Sequence, residues 1–188
     1  MNPPKQTGEI FDILSKGQFI CFNSSRETVR RLYNVLEERF EELREYFLAI
    51  NFVLERGDEF FYFSRPESKA DLERKIETAY RWIDVMDFLK TFDSAFGPGY
   101  RFTPSDVLVR LNVDAALKNK LEGLKKYSND ENYAESLRKI IRMLVNDNFI
   151  EIENEISDSY KVLSSFKYLE QLVLSIAIPE EVRSEIPQ

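Results

Sequence analysis

The side chains that most often carry out catalysis are scarce in this chain. It contains no histidine, which removes the commonest general base and the commonest zinc ligand. Its single cysteine, Cys21, lies in an apolar run and is expected to be a buried, inert thiol. A single cysteine also excludes an intramolecular disulfide and a cysteine-rich metal site. There is no glycine-rich phosphate loop and no nucleophile elbow, so the sequence predicts no catalytic residue, metal site or cofactor.

Two clusters of basic side chains are the candidates for contact with nucleic acid. Their members are Arg26, Arg30, Arg31, Lys118, Lys120, Lys125 and Lys126. The net charge of −7 and a pI near 4.9 oppose phosphate binding on average, although a local basic face can override that average. A solvated helical face is therefore the favoured interpretation, and weak, nonspecific phosphate contact is the alternative.

A third candidate surface is aromatic. One predicted strand contains four consecutive aromatic residues, Phe60, Phe61, Tyr62 and Phe63. Successive strand residues point to opposite faces of a sheet, so both faces of this strand must be covered. The cover is either the rest of the chain or another protein, and the sequence leaves both open. Tyr168 and Leu174 raise the same question, because they add apolar area beyond the main stripe of the last predicted helix.

A helix followed by a hairpin occurs twice, about one small domain apart. The first helix ends at Asn51 and the second at Asn148, and asparagine tolerates the left-handed conformation that closes a helix. β-favouring residues on both sides of a polar turn follow each asparagine, which predicts a hairpin. The repeat predicts a mainly α chain with small β-hairpins, an α+β fold of two winged-helix domains in tandem plus a C-terminal helix.

The expected boundaries follow from this repeat. We predict an N-terminal winged-helix-like module over residues 1–66, a C-terminal module with its closing helix over residues 67–178, and a mobile tail over residues 179–188. A single helical stretch, residues 26–50, separates the first strand of the N-terminal module from its hairpin, where a standard module has two helices. Either this stretch bends near Glu37 and Glu38, or the N-terminal module is degenerate.

The predicted hairpins carry carboxylates where a DNA-binding winged helix usually has a basic wing. These residues are Glu55, Asp58, Glu59, Glu151, Glu153, Glu155 and Asp158. Contact with phosphate would bring like charges together, so the sequence predicts that the wings do not bind DNA in the usual way.

The order of apolar blocks carries a resemblance to a known family. The blocks are IFDILSKGQFI at residues 10–20, Leu32-Tyr33, Tyr46-Phe47, FVLE at residues 52–55 and DEFFYFS at residues 58–64. In these blocks the chain resembles the kite proteins, which are winged-helix subunits of bacterial SMC-type complexes, and within them the MukE/MksE branch. The resemblance spans nearly the whole chain and is strongest from Phe11 to Ser64.

The resemblance implies a non-enzymatic, cytoplasmic and nucleoid-associated subunit that forms a homodimer. Such a subunit binds the kleisin that links two SMC-like ATPase heads, in complexes that organise and segregate chromosomes or act against plasmids. Contact with DNA is expected to be weak or indirect, and no membrane contact is expected, since no window of sequence is long and apolar enough to span one. The alternative is a winged-helix transcription regulator, which would need a basic recognition face.

Overall fold

Two small sheets, each flanked by helices, follow one another along the chain. The computed structural model describes residues 4–64, 69–128 and 132–177. The N-terminal module contains α1 (Thr7–Leu14), β1 (Ile20–Cys21), α2 (Glu27–Glu38), α3 (Phe40–Leu48), β2 (Val53–Arg56) and β3 (Phe60–Ser64). The C-terminal module contains α4 (Lys69–Phe92), β4 (Arg101–Phe102), α5 (Pro104–Leu111), α6 (Ala115–Ser128), α7 (Tyr133–Asn146), β5 (Ile150–Asn154), β6 (Ser159–Val162) and α8 (Phe166–Ala177).

The two sheets have the same antiparallel topology. Their strand orders are β1-β3-β2 and β4-β6-β5, so in each module the short first strand pairs with the last strand of the hairpin. This repeat confirms the predicted α+β fold of tandem winged helices with a helix, α8, after the second hairpin. The predicted boundary at residues 66 and 67 and the predicted tail over residues 179–188 lie outside the described residues.

The helical stretch predicted over residues 26–50 consists of two helices that meet at Arg39. This residue has φ −126° and ψ 32°, outside the helical region, and its guanidinium donates two hydrogen bonds of 2.7 Å to Glu42. Leu36 and Leu43, on either side of the break, are both fully buried. Of the two alternatives, the stretch therefore bends next to Glu38, and the N-terminal module has the usual pair of helices before its hairpin.

Both helices that precede a hairpin close in the same way. Asn51 has φ 64° and Asn148 has φ 61°, as their sequence positions predict. In each segment the amide of the following residue donates to a carbonyl five residues earlier. Phe52 N donates to the Phe47 carbonyl at 3.0 Å, and Phe149 N donates to the Leu144 carbonyl at 2.9 Å. This pattern is the Schellman motif, which satisfies carbonyl groups at a helix end. The sharp reversal it produces directs the chain straight into β2 or β5.

The hydrophobic core has two parts, and the larger part crosses the boundary between the modules. The smaller cluster belongs to the N-terminal module and includes Leu36, Phe47 and Phe61. The larger cluster fills the C-terminal module but also contains Phe19 and Phe60 from the N-terminal module. The two modules therefore share buried apolar surface, which favours a fixed arrangement of one module against the other.

Candidate interaction surfaces

The aromatic strand β3 lies between the two cores and is covered on both sides by the chain itself. Phe61 points into the N-terminal core, where its ring lies 5.2 Å from that of Tyr33. Phe60 points the other way, into the cluster of the C-terminal module. Tyr62 shares this direction, and its ring centroid lies 5.2 Å from that of Tyr168 on α8. Alternation along the strand thus assigns successive residues to different modules.

This placement limits which aromatic residues a partner can reach. Phe60 is 1% exposed and Phe61 is fully buried, so in this conformation neither offers surface to another protein. Tyr62, Phe63 and Tyr168 are half-buried. Leu174 is 64% exposed. Phe60 and Phe61 are thus covered by the rest of the chain and not by another protein. Partner contact at Tyr62, Phe63, Tyr168 and Leu174 stays a prediction.

Polar groups surround the aromatic contact and fix its geometry. The backbone N–H of Phe19 donates to Asn148 Oδ1 at 3.0 Å. Asn23 makes a matching pair of bonds, donating from Nδ2 to the Val162 carbonyl at 3.1 Å and accepting at Oδ1 from Ser164 N at 2.9 Å. Such bonds require specific positions and angles, so the junction between the modules is specified more tightly than apolar burial alone would achieve.

Glu151 is the most buried carboxylate of the junction. It is 6% exposed, and its carboxylate accepts hydrogen bonds from Ser24 Oγ at 2.8 Å and from Ser25 N. The Arg26 guanidinium lies 3.8 Å away. Arg26 is the N-cap of α2 and provides no capping bond from its own side chain. Glu151 therefore places a negative charge from the C-terminal module next to the N-terminus of a helix in the other module.

Three further hairpin carboxylates are also engaged by the fold. Lys167 on α8 pairs with Asp58 at 2.7 Å and with Glu59 at 3.2 Å. Arg101 forms a two-pronged pair with Glu153, at 2.7 and 2.9 Å. The sequence located these carboxylates on the hairpins correctly but did not predict that they would hold the two modules and the strands together.

The first basic cluster has partners within the chain. Arg30 Nη1 donates to the carbonyls of Ser24 and Ser25, at 2.7 and 2.9 Å. Arg31 lies 3.6 Å from Glu9, and both side chains are more than half exposed. These contacts match the favoured interpretation of a solvated helical face with local pairing, and contact with nucleic acid here stays a prediction.

The second basic cluster, on α6, is engaged in the same manner. Lys120 pairs with Asp87, and Lys126 pairs with Asp84 at 2.7 Å, so both bind α4. Lys118 and Lys125 lie 5.3 and 4.7 Å from the centre of the Tyr133 ring, within cation–π range. Contact of this cluster with nucleic acid also stays a prediction.

Cys21 is buried as its sequence context predicts. Its side chain is 1% exposed, and burial raises the pKa of its thiol to about 11. A thiol with that pKa stays protonated near neutral pH and is a poor nucleophile. Within the described ranges, no group of three metal-ligating side chains forms a metal site. No helix in the part of the chain that the structure describes is long and apolar enough to cross a membrane.

One basic surface was missed by the sequence reasoning. Arg138 and Arg142 lie on the exposed side of α7, above a groove between this helix and the β5–β6 hairpin. Their spacing of four residues puts both side chains on one face of a helix. That spacing is visible in the sequence, but the basic clusters predicted from the sequence were those near α2 and on α6.

These features define the class of protein. It is a tandem winged-helix protein whose modules share an aromatic core and a polar junction. The chain belongs to the family of the condensin complex protein MksE, whose family model matches residues 5–173. The match extends from the segment before α1 into α8 and confirms the resemblance to the MukE/MksE branch. A comparison with curated proteins finds no match to the chain.

Proposed function

We propose that the chain is a non-enzymatic subunit of a bacterial condensin-like complex of the MksBEF type. In this role it binds the kleisin subunit and, through it, an SMC-like ATPase. The observation that carries the proposal is the family match over residues 5–173, which includes both modules rather than one isolated winged helix. The complex would act in the cytoplasm at the nucleoid, in chromosome organisation and segregation or in defence against plasmids.

The physical character of the chain supports a binding role. Its two modules are joined by a buried aromatic contact and by hydrogen bonds of Asn23, Asn148 and Glu151. A scaffold of this kind presents surfaces from both modules in a constant relative position, so little ordering cost is added when a partner contacts both. The half-buried Tyr62, Phe63 and Tyr168 and the exposed Leu174 are candidate partner contacts.

Self-association forms part of the proposal. Leu48 and Ile50, near the C-terminal end of α3, are 58% and 46% exposed, and Tyr46 nearby is also exposed. Neighbouring apolar side chains on one exposed segment are typical of protein interfaces, in which aromatic residues are enriched. We propose that this surface, together with Leu174 on α8, forms a homodimer.

Affinity purification from the native host tests the proposed function. The full chain, with a tag on a flexible linker, is expected to retain a kleisin-like protein and an SMC-like ATPase through washes at about 150 mM salt, the physiological range. A matched purification with the Lys16→Gln, Arg44→Gln variant controls for charge-driven retention, because both side chains are exposed at the surface of the N-terminal module. Retention of a transcription apparatus or of specific promoter DNA, without an ATPase, would instead favour a regulator.

A further inference from the structure

A groove runs between α7 and the β5–β6 hairpin of the C-terminal module. Its floor is apolar and includes Ile141 and Val145 from α7 and Ile152 and Tyr160 from the two strands. Ile152 is 47% exposed although it is a large aliphatic residue. A second depression shares Val145 and Ile152 and continues along β5, which is the edge strand of its sheet, to Arg26. The two depressions form one elongated surface.

Positive charge borders the groove on its α7 side, at Arg138 and Arg142. The continuation is lined by both Arg26 and Glu151, which pair with each other. Within the described residues neither Arg138 nor Arg142 makes an ion pair, whereas Arg26 lies 3.8 Å from Glu151. The chain as a whole carries a net charge of −7. The groove is therefore a local reversal of the overall charge.

The dimensions and composition of the groove select the class of ligand. Its cavity volume at Arg138 and Arg142 is 210 Å³, below the roughly 300–1,000 Å³ of small-molecule pockets. The apolar floor gives no favourable contact to phosphate groups. A peptide segment has both of the required features, since apolar side chains fill the floor while carboxylates pair with arginine.

We propose that this groove binds an acidic, amphipathic segment of a partner protein. Carboxylates of the segment accept hydrogen bonds from Arg138 and Arg142, and apolar side chains pack on Ile141, Val145 and Ile152. Charge complementarity with these arginines is the argument for this occupant. The inference rests on the proposed function in one respect, because it expects the segment to belong to another subunit of the complex.

Fluorescence anisotropy with synthetic probes tests the groove directly. The full chain is titrated into a labelled 15-residue peptide in which Asp and Glu alternate with Leu and Phe. Two comparison peptides replace the acidic residues with Lys or the apolar residues with Ser, and a 30-base-pair DNA duplex is the fourth probe. The acidic amphipathic peptide is expected to bind tightest. The Arg138→Gln, Arg142→Gln variant should weaken that binding by about tenfold or more, as loss of charge-assisted bonds does.

A matched control separates the groove from general charge effects. Lys16→Gln, Arg44→Gln also removes two positive charges, from exposed positions on the other module, and should leave peptide affinity within about twofold. The inference is overturned by any of three results: the peptide does not bind, both double variants weaken it equally, or the DNA duplex binds tighter and depends on Arg138 and Arg142. Light scattering of the groove variant gives a fourth result that would overturn the inference. Loss of self-association in this variant would assign the groove to a second copy of the chain.

The groove and the proposed function can fail separately. If wild-type protein and the groove variant retain kleisin and ATPase equally and the peptide does not bind, the proposed function stands and the groove inference falls. If the peptide binds at Arg138 and Arg142 but no SMC-like ATPase is retained by the wild-type chain, the groove stands and the proposed function falls.

Discussion

Glu151 of the second hairpin accepts hydrogen bonds from Ser24 Oγ and from the backbone N–H of Ser25, so it fixes the start of α2 in the other module. The contact joins residues far apart in sequence and lies in a buried environment, with Glu151 only 6% exposed. A buried carboxylate that accepts from two donors stabilises the fold through these hydrogen bonds and through its favourable interaction with the positive end of the helix dipole. This residue therefore couples the stability of the two modules.

Replacing Glu151 with alanine should lower the free energy of unfolding by about 1–3 kcal/mol, because Ser24 and Ser25 lose a buried acceptor. Urea denaturation followed by circular dichroism gives the value. Glu155→Ala, at an exposed position of the same hairpin, is the control and should change it by less than about 0.5 kcal/mol. Equal effects of the two substitutions would show that the Glu151 contact adds no stability.

Gly57→Ala should be destabilising because the turn of the first hairpin packs against a core ring. A Cβ at Gly57 would lie 2.1 Å from Phe60 Cζ, and Phe60 is almost fully buried, so the ring must move. Overpacking of this kind costs about 1–3 kcal/mol. Thermal unfolding should show a lower Tm.

Gly123→Ala is the matched control for that substitution. Gly123 lies within α6 and has no heavy atom within 4 Å of its would-be Cβ. Alanine is the better helix former, so this variant should gain up to about 1 kcal/mol. A loss of stability at Gly123 similar to that at Gly57 would remove the ring contact as the explanation.

The ring contact between Tyr62 and Tyr168 should couple the two modules. Their centroids lie 5.2 Å apart, and aromatic pairs at this distance contribute about 0.5–1.5 kcal/mol beyond burial. A double-mutant cycle with Tyr62→Ala and Tyr168→Ala, measured by urea unfolding, should give a coupling energy in this range. Tyr46→Ala, at an exposed position, combined with Tyr168→Ala is the control pair. The effects of these two substitutions on the free energy of unfolding should be additive.

Cys21 should make stability depend on alkaline pH. Burial raises the pKa of its thiol from 9.0 to about 11, so the folded state keeps the proton while the unfolded state loses it. Stability is therefore fully present below pH 9 and falls as pH rises towards 11, by up to about 1.4 kcal/mol for each unit of pKa difference. Urea unfolding of wild type and Cys21→Ala at pH 8 and 10.5 isolates this contribution, because the other titrating groups are common to both. The same pH-dependent loss in the variant would contradict the assignment.

Self-association should depend on the exposed apolar residues near the end of α3. Leu48→Ser, Ile50→Ser is expected to shift the mass measured by light scattering towards the monomer at tens of micromolar, roughly the range in which weak interfaces form. The unfolding midpoint should change little, because both side chains are about half exposed. A wild-type chain that is strictly monomeric at this concentration would remove the proposed dimer.

Features set by local sequence were predictable. The left-handed residues Asn51 and Asn148 and the hairpins after them depend on neighbours within a few positions. The break at Arg39 was only one of two alternatives, because the apolar periodicity runs on through Leu36 and Leu43 and does not register a single non-helical residue. Periodicity reports which face is buried, and it does not report whether the helix axis turns.

Features that depend on distant parts of the chain were beyond sequence reasoning. The sequence placed Glu151 on an acidic wing. Its burial could not be predicted, because it depends on contacts with Ser24 and Ser25, which are remote in sequence. The need for cover on both sides of β3 was predictable, but its source was not, since Tyr168 approaches Tyr62 only after the modules pack. The groove at Arg138 and Arg142 required the relative position of α7 and the second hairpin.

The core that is shared across the modules has a consequence for biosynthesis. Phe19 and Phe60 lie in the first third of the chain, but their cluster is completed by residues as late as Phe166 and Leu169 on α8. A nascent N-terminal module that leaves the ribosome before the C-terminal module must therefore carry an uncovered aromatic face until α8 has been made. Exposed apolar surface of this kind makes folding intermediates prone to aggregation. The nascent chain is therefore most prone to aggregation between the emergence of β3 and that of α8.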